Sequence, residues 1–146
     1  MINAMMPYTI QFVEQPVMAH DLAGLKLVRD NVSLPIIADE SCVTGEDIAH
    51  VAECVDGINI KLMKCGGINH ALKMIHAARA YNLRIMLGCM IESSLAITAA
   101  AHLTPLVDYA DLDGNLLVDN DPYVGVTVEQ GKLILPDGPG LGVQMR

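Results

Sequence analysis

Five short β-rich runs, four of them followed by a stretch with helical spacing, set the architecture this chain can reach. The runs are Thr9–Glu14, Leu34–Asp39, Gly57–Lys61, Leu83–Leu87 and Val107–Asp113. Helical spacing follows in Leu22, Leu25 and Val28, with the helix placed over Asp21–Arg29, and in Ile48, Val51, Ala52 and Val55. It recurs in Ile68, Ala71, Leu72, Ile75 and Ala78, and in the small-residue stretch Ser94–Leu103, which Pro105 ends. Apolar residues three and four apart share one helix face, and short apolar runs bounded by turn residues suit a buried strand. Thr44 and Asp47 have the spacing of a capping box, which places a helix start there. Strands alternating with helices imply a parallel sheet, because parallel neighbours need a crossover of a dozen or more residues. The expected fold class is therefore α/β.

A complete (β/α) barrel of eight units needs about 250 residues; these 146 have room for about five units, the C-terminal portion of a TIM-type barrel. A doubly wound sheet of the flavodoxin type also has five strands at this length. It would place a phosphate-binding loop after the first strand, where this chain has Glu14-Gln15-Pro16. After Asp113 the pattern changes. Tyr123–Val128 and Lys132–Leu135 flank Glu129-Gln130-Gly131 and read as a hairpin. Asp119-Asn120-Asp121 reads as a solvated loop, and 138–142 as a glycine-rich tail. The expected division is 1–117, a partial barrel, and 118–146, a short β-hairpin appendage and tail that pack back on the barrel or on a cap. Met1–Met6 shows no clear helical pattern and reads as the remnant of a helix preceding the first strand.

Composition narrows the partners. Aromatic residues are 3% and hydrophobic residues 52%, so the core must be aliphatic. The net charge of −8 argues against nucleic acid and anionic membrane as partners and suits a metal or a cationic ligand. No apolar run reaches the roughly 18 residues of a membrane helix, and Arg84, Glu92 and His102 interrupt the longest candidates. No signal peptide is legible at the N-terminus. Cys42, Cys54, Cys65 and Cys89 form no CxxC pair, which fits reduced thiols in a cytoplasmic protein. The five histidines fall on expected helices or their flanks, the usual place for solvated side chains.

The first three runs end in ionisable residues, Glu14, Asp39 and Lys61, and the fifth ends in Asp111 and Asp113. Residues two apart in a strand share a face. Phe12 thus accompanies Glu14, Ile37 accompanies Asp39, Asn59 accompanies Lys61, and Asp111 accompanies Asp113. Charged groups at the C-terminal ends of parallel strands occupy the place of a barrel active site. Glu14 and Asp39 suit a hard divalent cation such as Mg2+. A lysine beside such an ion has its ammonium form disfavoured, which lowers its pKa toward that of a useful base. Metal and lysine together suit proton abstraction next to a carboxylate, through a metal-stabilised enediolate.

Four blocks carry a family resemblance: Phe12-Val13-Glu14-Gln15-Pro16, Ala38-Asp39-Glu40-Ser41, the stretch Asn59–Gly67, and Gly88-Cys89-Met90-Ile91-Glu92. Their order and spacing resemble the enolase superfamily in its muconate-lactonizing subgroup, from about residue 8 to the tail. Asp111-Leu112-Asp113 resembles the Asp-x-Asp signature of the dipeptide (L-Ala-D/L-Glu) epimerases within it. Relatives with other activities are o-succinylbenzoate synthase, N-acylamino acid racemase and muconate cycloisomerase. The resemblance implies an Mg2+-dependent isomerase acting on a dipeptide, with Glu14 and Asp39 as metal ligands and Lys61 as the acid/base lysine. It implies that Asp111 and Asp113 grip the substrate ammonium, and that Cys89, Met90 and Ile91 line the pocket. Glu40 and Asn59 would support the metal ligands, and Lys64 would lie near the site rim. It also implies a capping domain, three earlier strands, a third metal carboxylate and a second lysine, none of which is in this sequence. The expected consequence is self-association or pairing with a separate N-terminal half. A non-catalytic truncated remnant is the alternative of a different class.

Overall fold

The computed structural model describes residues 2–146. Five parallel strands lie side by side in chain order: β1 (Val13–Glu14), β2 (Ile36–Ala38), β3 (Gly57–Lys61), β4 (Arg84–Gly88) and β5 (Tyr109–Ala110). This is the order of barrel staves; a doubly wound sheet reverses its order at a switch point. The sheet is strongly curled. Phe12, just before β1, and Tyr109 of β5 stand at opposite edges, yet their ring centroids are 4.7 Å apart. Five flat strands would separate these edges by roughly 19 Å. The architecture is thus a curled half-barrel, as the alternation of runs implied.

Five helices cover the convex face: α1 (Leu22–Asn31), α2 (Ile48–Val51), α3 (Leu62–Cys65), α4 (Ile68–Ala80) and α5 (Ser94–Ala101). Ile36, Ala38, Ile58, Ile60, Ile85 and Leu87 point outward from the strands and join Leu25, Val51, Met74, Ile75 and Ile97 in one buried cluster. Each fully buried Ile or Leu contributes about 1.5–3 kcal/mol, and such aliphatics compensate for the scarcity of aromatics. Ile37, Asn59 and Met86 alternate with them, which turns these side chains to the concave face. Helix α1 begins at Asp21, whose carboxylate accepts from Gly24 N at 2.8 Å.

Several elements depart from the sequence expectation. Helix α2 starts at Ile48, because the Asp47 carboxylate reaches back to Val43 N and Thr44 N and makes a turn of that segment. The short helix α3 has no apolar periodicity to announce it. It ends at Gly66 (φ 92°), and Gly66 N and Gly67 N both donate to Leu62 O. Strand β5 is shorter than Val107–Asp113, because Asp113 takes helical angles and opens a 3-10 turn, Gly114–Leu117. The C-terminal strands are β6 (Tyr123–Val124), β7 (Thr127–Glu129), β8 (Lys132–Ile134) and β9 (Gln144–Met145). Only β7 and β8 form the expected hairpin; β6 pairs with β9. Between β6 and β7 the chain leaves the ladder to dock on α5. Val126 N donates to Thr98 Oγ1 at 2.8 Å, and a Cβ at Gly125 would overlap that hydroxyl. The tail packs back on α5, with Leu141 O 3.4 Å from His102 Nε2. Ile2–Tyr8 is a 3-10 helix without a buried residue, and Met1 lies outside the described residues.

Asp121 is not solvated. It is 5% exposed; one carboxylate oxygen accepts from Ser94 N at 2.6 Å, capping α5, and the other from Tyr123 N at 3.0 Å. Burial pushes this carboxyl up, but those hydrogen bonds and the charge of Arg146 outweigh it and hold the group below the usual carboxylate value. A carboxylate with a depressed folded-state pKa stabilises above its unfolded value, about 4, and that stability is lost as pH falls through the folded value. Asp121→Asn is therefore expected to cost about 1–2 kcal/mol at pH 7 and markedly less at pH 3. Urea unfolding at the two pH values measures this; an equal loss at both would contradict it.

Candidate active site

The strand ends bring the ionisable residues together. Glu14 closes β1, Asp39 follows β2 directly and Lys61 closes β3. Lys61 Nζ donates to Asp39 Oδ2 at 2.8 Å, and Lys64 Nζ donates to Asp39 Oδ1. Both lysines come from one β3–α3 segment, since the tight turn of α3 brings Lys64 beside Lys61. Lys64 is thus at the centre of the cluster rather than at its rim. Asn59 Nδ2 donates to Glu14 Oε1 at 2.7 Å. Glu40 is exposed and adds its negative charge to the surroundings of Lys61.

Without a metal beside it, Lys61 answers to the carboxylates around it. Burial alone would lower its pKa, but the Asp39 hydrogen bond and charge, with Glu14 and Glu40 beyond, raise it above the ordinary lysine value. Burial would likewise raise Asp39, yet Lys61 and Lys64 outweigh it and hold the carboxyl below its ordinary value. In this state Lys61 is a firmly held ammonium. Release of its hydrogen bond to Asp39 would lower that pKa and make the neutral amine easier to reach.

Gln15 organises the loop that carries Asp39. Its Oε1 accepts from Asp39 N at 2.9 Å and Ser41 N at 3.1 Å, while its Nε2 donates to Ser41 Oγ and Val17 O. The residue sits at φ 38°, which turns the chain out of β1 before Pro16. Sequence reasoning quoted Gln15 without giving it this role.

A second part of the site lies beyond β4 and β5. Cys89, Met90, Ile91, Asp111 and Asp113 all line one open cavity of about 300 Å³, with Gly114 and Leu117. Asp111 and Asp113 are both exposed and the intervening Leu112 is buried, so the two carboxylates keep the same outward sense although only Tyr109–Ala110 is strand. The loops are fastened to each other: a Cβ at Gly114 would overlap Met90 O, and Asn115 Nδ2 donates to Ser94 Oγ at 3.2 Å. Glu92, buried, accepts from Met90 N at 2.9 Å and shapes the pocket loop from beneath. Cys89 Sγ is 4.0 Å from Asp113 Oδ1, and burial with two neighbouring carboxylates raises its thiol pKa despite backbone hydrogen bonds from Gly114 and Asp113. That is no setting for a nucleophile. All four cysteines are free, and burial with the charge of Asp47 pushes Cys42 to about 12. All five histidines are exposed, and none joins these residues.

Size does not locate the chemistry. A larger cavity, about 680 Å³, lies toward the opposite ends of the strands, where Arg29 Nε pairs with Asp56 Oδ1 at 2.9 Å. The donor set at the strand ends fits a hard cation: two carboxylates on adjoining strands, one with an oxygen free of protein partners among the described residues. Mg2+ is commonly held by one or two carboxylates and keeps several waters. Among the described residues no three His, Cys, Asp or Glu side chains converge into a fuller cage. No described helix is long and apolar enough to cross a membrane.

A curled parallel sheet with carboxylates and a lysine at its C-terminal strand ends has its charged groups where barrel enzymes carry their active sites. Residues 1–146 match the family described as Enolase C-terminal domain-like, and the chain belongs to that family. It is 49% identical over 142 residues to an L-Ala-D/L-amino acid epimerase of Pedosphaera parvula, covering 94% of this chain and 40% of that protein. It is 46% identical over 143 residues to an L-Ala-D/L-Glu epimerase of Bacteroides thetaiotaomicron, covering 98% and 37%. The substrate-liganded L-Ala-D/L-Glu epimerase of Bacillus subtilis superposes with a TM-score of 0.89 at 41% identity, covering 97% of this chain and 42% of that one. A dipeptide epimerase of Enterococcus faecalis complexed with Mg and L-Leu-L-Tyr gives 0.89 at 42% identity, covering 97% and 42%. The chain thus spans about two fifths of the length of these curated relatives.

Proposed function

We propose that this chain carries the proton-transfer and metal-holding part of a dipeptide epimerase site, with Lys61 as the acid/base group at a substrate α-carbon. The observation that carries this reading is the Lys61–Asp39 pair at the strand ends, beside Glu14. Glu14 and Asp39 would hold Mg2+, with Asn59 and Glu40 supporting them. When bound, that ion supplies charge stabilisation for the enediolate that forms as the α-proton leaves. Lys61, freed from Asp39, takes or returns the proton on one face of the α-carbon. Asp111 and Asp113 accept hydrogen bonds from the ammonium of the dipeptide, since two carboxylates on one cavity wall make a strong cation site. Met90, Ile91 and Cys89 exclude water beside it. The free cysteines favour a reducing, cytoplasmic setting. The test is exchange of the glutamate α-proton of L-Ala-L-Glu in D2O with Mg2+, followed by proton NMR.

The same fold leaves the outer edges of β1 and β5 without a strand partner among the described residues. Open edges invite pairing, and we read them as surfaces that meet another chain or another segment. Size-exclusion chromatography with light scattering is expected to show self-association of the isolated chain; a monodisperse, cooperatively unfolding monomer would refute this.

A further inference from the structure

We propose that Gly88 is a positioning residue for the Glu14 carboxylate, acting through Asn59: the missing side chain at the end of β4 is what seats the Asn59 amide on Glu14. The inference rests on the reading of Glu14 as a metal ligand. Gly88 is buried, and it is not among the glycines with positive φ, so conformational freedom does not explain a glycine there. Space does. A Cβ at Gly88 would stand 2.6 Å from both Nδ2 and Oδ1 of Asn59 and 3.0 Å from its Cγ. Real Cβ atoms do not approach that closely, so any side chain would displace the amide.

The displaced group matters because of what Asn59 does. It is 2% exposed, and its one side-chain hydrogen bond among the described residues goes from Nδ2 to Glu14 Oε1, across the sheet from β3 to β1. Its Oδ1 is buried without a partner among the described residues. A buried polar atom left unsatisfied is costly, and such an atom is tolerated where the side chain is placed for function. The amide occupies one Glu14 oxygen and leaves the other without a partner among the described residues, which fixes the orientation of the carboxylate. Loss of a hydrogen bond that orients a metal-binding group typically weakens metal affinity about 10- to 100-fold.

Mn2+ binding to the 146-residue chain, read by electron paramagnetic resonance, tests the relay in the wild type, Gly88→Ala, Asn59→Ala and the double variant. Each single variant is expected to bind about 10- to 100-fold more weakly. The double variant is expected to match Asn59→Ala alone, because the new methyl enters the space the amide has left. Multiplied losses in the double variant, unchanged affinity in Gly88→Ala, or no specific binding by the wild type would each overturn the proposal. Should Gly88→Ala fail to fold, a double variant that folds with the affinity of Asn59→Ala supports the relay, and one that does not fold overturns it. The Asn59 side-chain amide signal in metal-free NMR is expected to shift alike in Gly88→Ala and Glu14→Ala. Failure of the epimerase reading is distinct: the coupling would persist while no α-proton exchange occurs.

Discussion

Replacing Lys61 with Met is expected to bring α-proton exchange down to the uncatalysed background, a loss of about 10²–10⁴-fold. The substitution keeps the unbranched stem that packs at the end of β3 and removes only the ammonium. Asp39 retains Lys64, so the carboxylate is not stranded and the fold is expected to survive. Loss of exchange in a folded Lys61→Met variant would therefore report on chemistry. The stereochemical outcome is equally informative. Lys61 and Lys64 both reach Asp39 from the β3–α3 segment, so under the proposed reading both would approach a bound α-carbon from one side. One face can remove a proton and return solvent deuterium to the same place, so the chain by itself is expected to give exchange with retention. Inversion would reveal a donor on the other face. A folded, Mg2+-loaded wild type without any exchange would refute the proposed activity for this chain and leave a scaffold that keeps its site residues without the reaction.

The parts of this arrangement that were legible in the sequence are those that depend on period and position. Alternating runs gave the parallel order of the sheet, and charged strand ends placed Glu14, Asp39 and Lys61 at one end of it. Asp111 and Asp113 flank one cavity because the alternation around buried Leu112 outlasts the strand itself. What could not be read depends on single turns and distant contacts. Lys64 reaches Asp39 because four residues coil once and stop at Gly66, too short a helix for any periodicity. The hold of Gln15 on the Asp39 loop follows from one left-handed backbone residue. Asp121 looked like a solvated loop because its partner, Ser94 N, is 27 residues away.

Lys61 shows a different kind of gap. Sequence reasoning began from a metal beside the lysine and obtained a lowered pKa. The fold instead places Asp39 against the ammonium, and the attraction prevails over desolvation. The two signs belong to two states, one with a metal and one without, and the sign turns on which cation holds Asp39.

That dual claim on Asp39 makes its removal the severest expected change in the site. In Asp39→Ala, the ammonium groups of Lys61 and Lys64, with side chains 13% and 18% exposed, lose their shared carboxylate. Breaking a fully buried ion pair typically costs 3–5 kcal/mol; these lysines keep some access to water, so about 2–3 kcal/mol is expected here. Asp39→Asn is expected to fall between, since its carbonyl oxygen can accept from one lysine while its NH2 faces the other. Adding Lys64→Met to Asp39→Ala removes one stranded charge, and about half the loss is expected to return, a coupling that independent sites would not show. Urea unfolding at pH 7 with chelator present measures all four proteins in the metal-free state, where the ion-pair network stands alone. Mn2+ affinity should collapse in every Asp39 variant regardless of stability, because Glu14 is then the remaining carboxylate of the pair. The two readouts separate two duties of one side chain: holding two lysines in place without a metal, and the proposed holding of the metal itself. If Asp39→Ala proves as stable as the wild type, the lysines swing freely into water, and the cluster is not held by its charges.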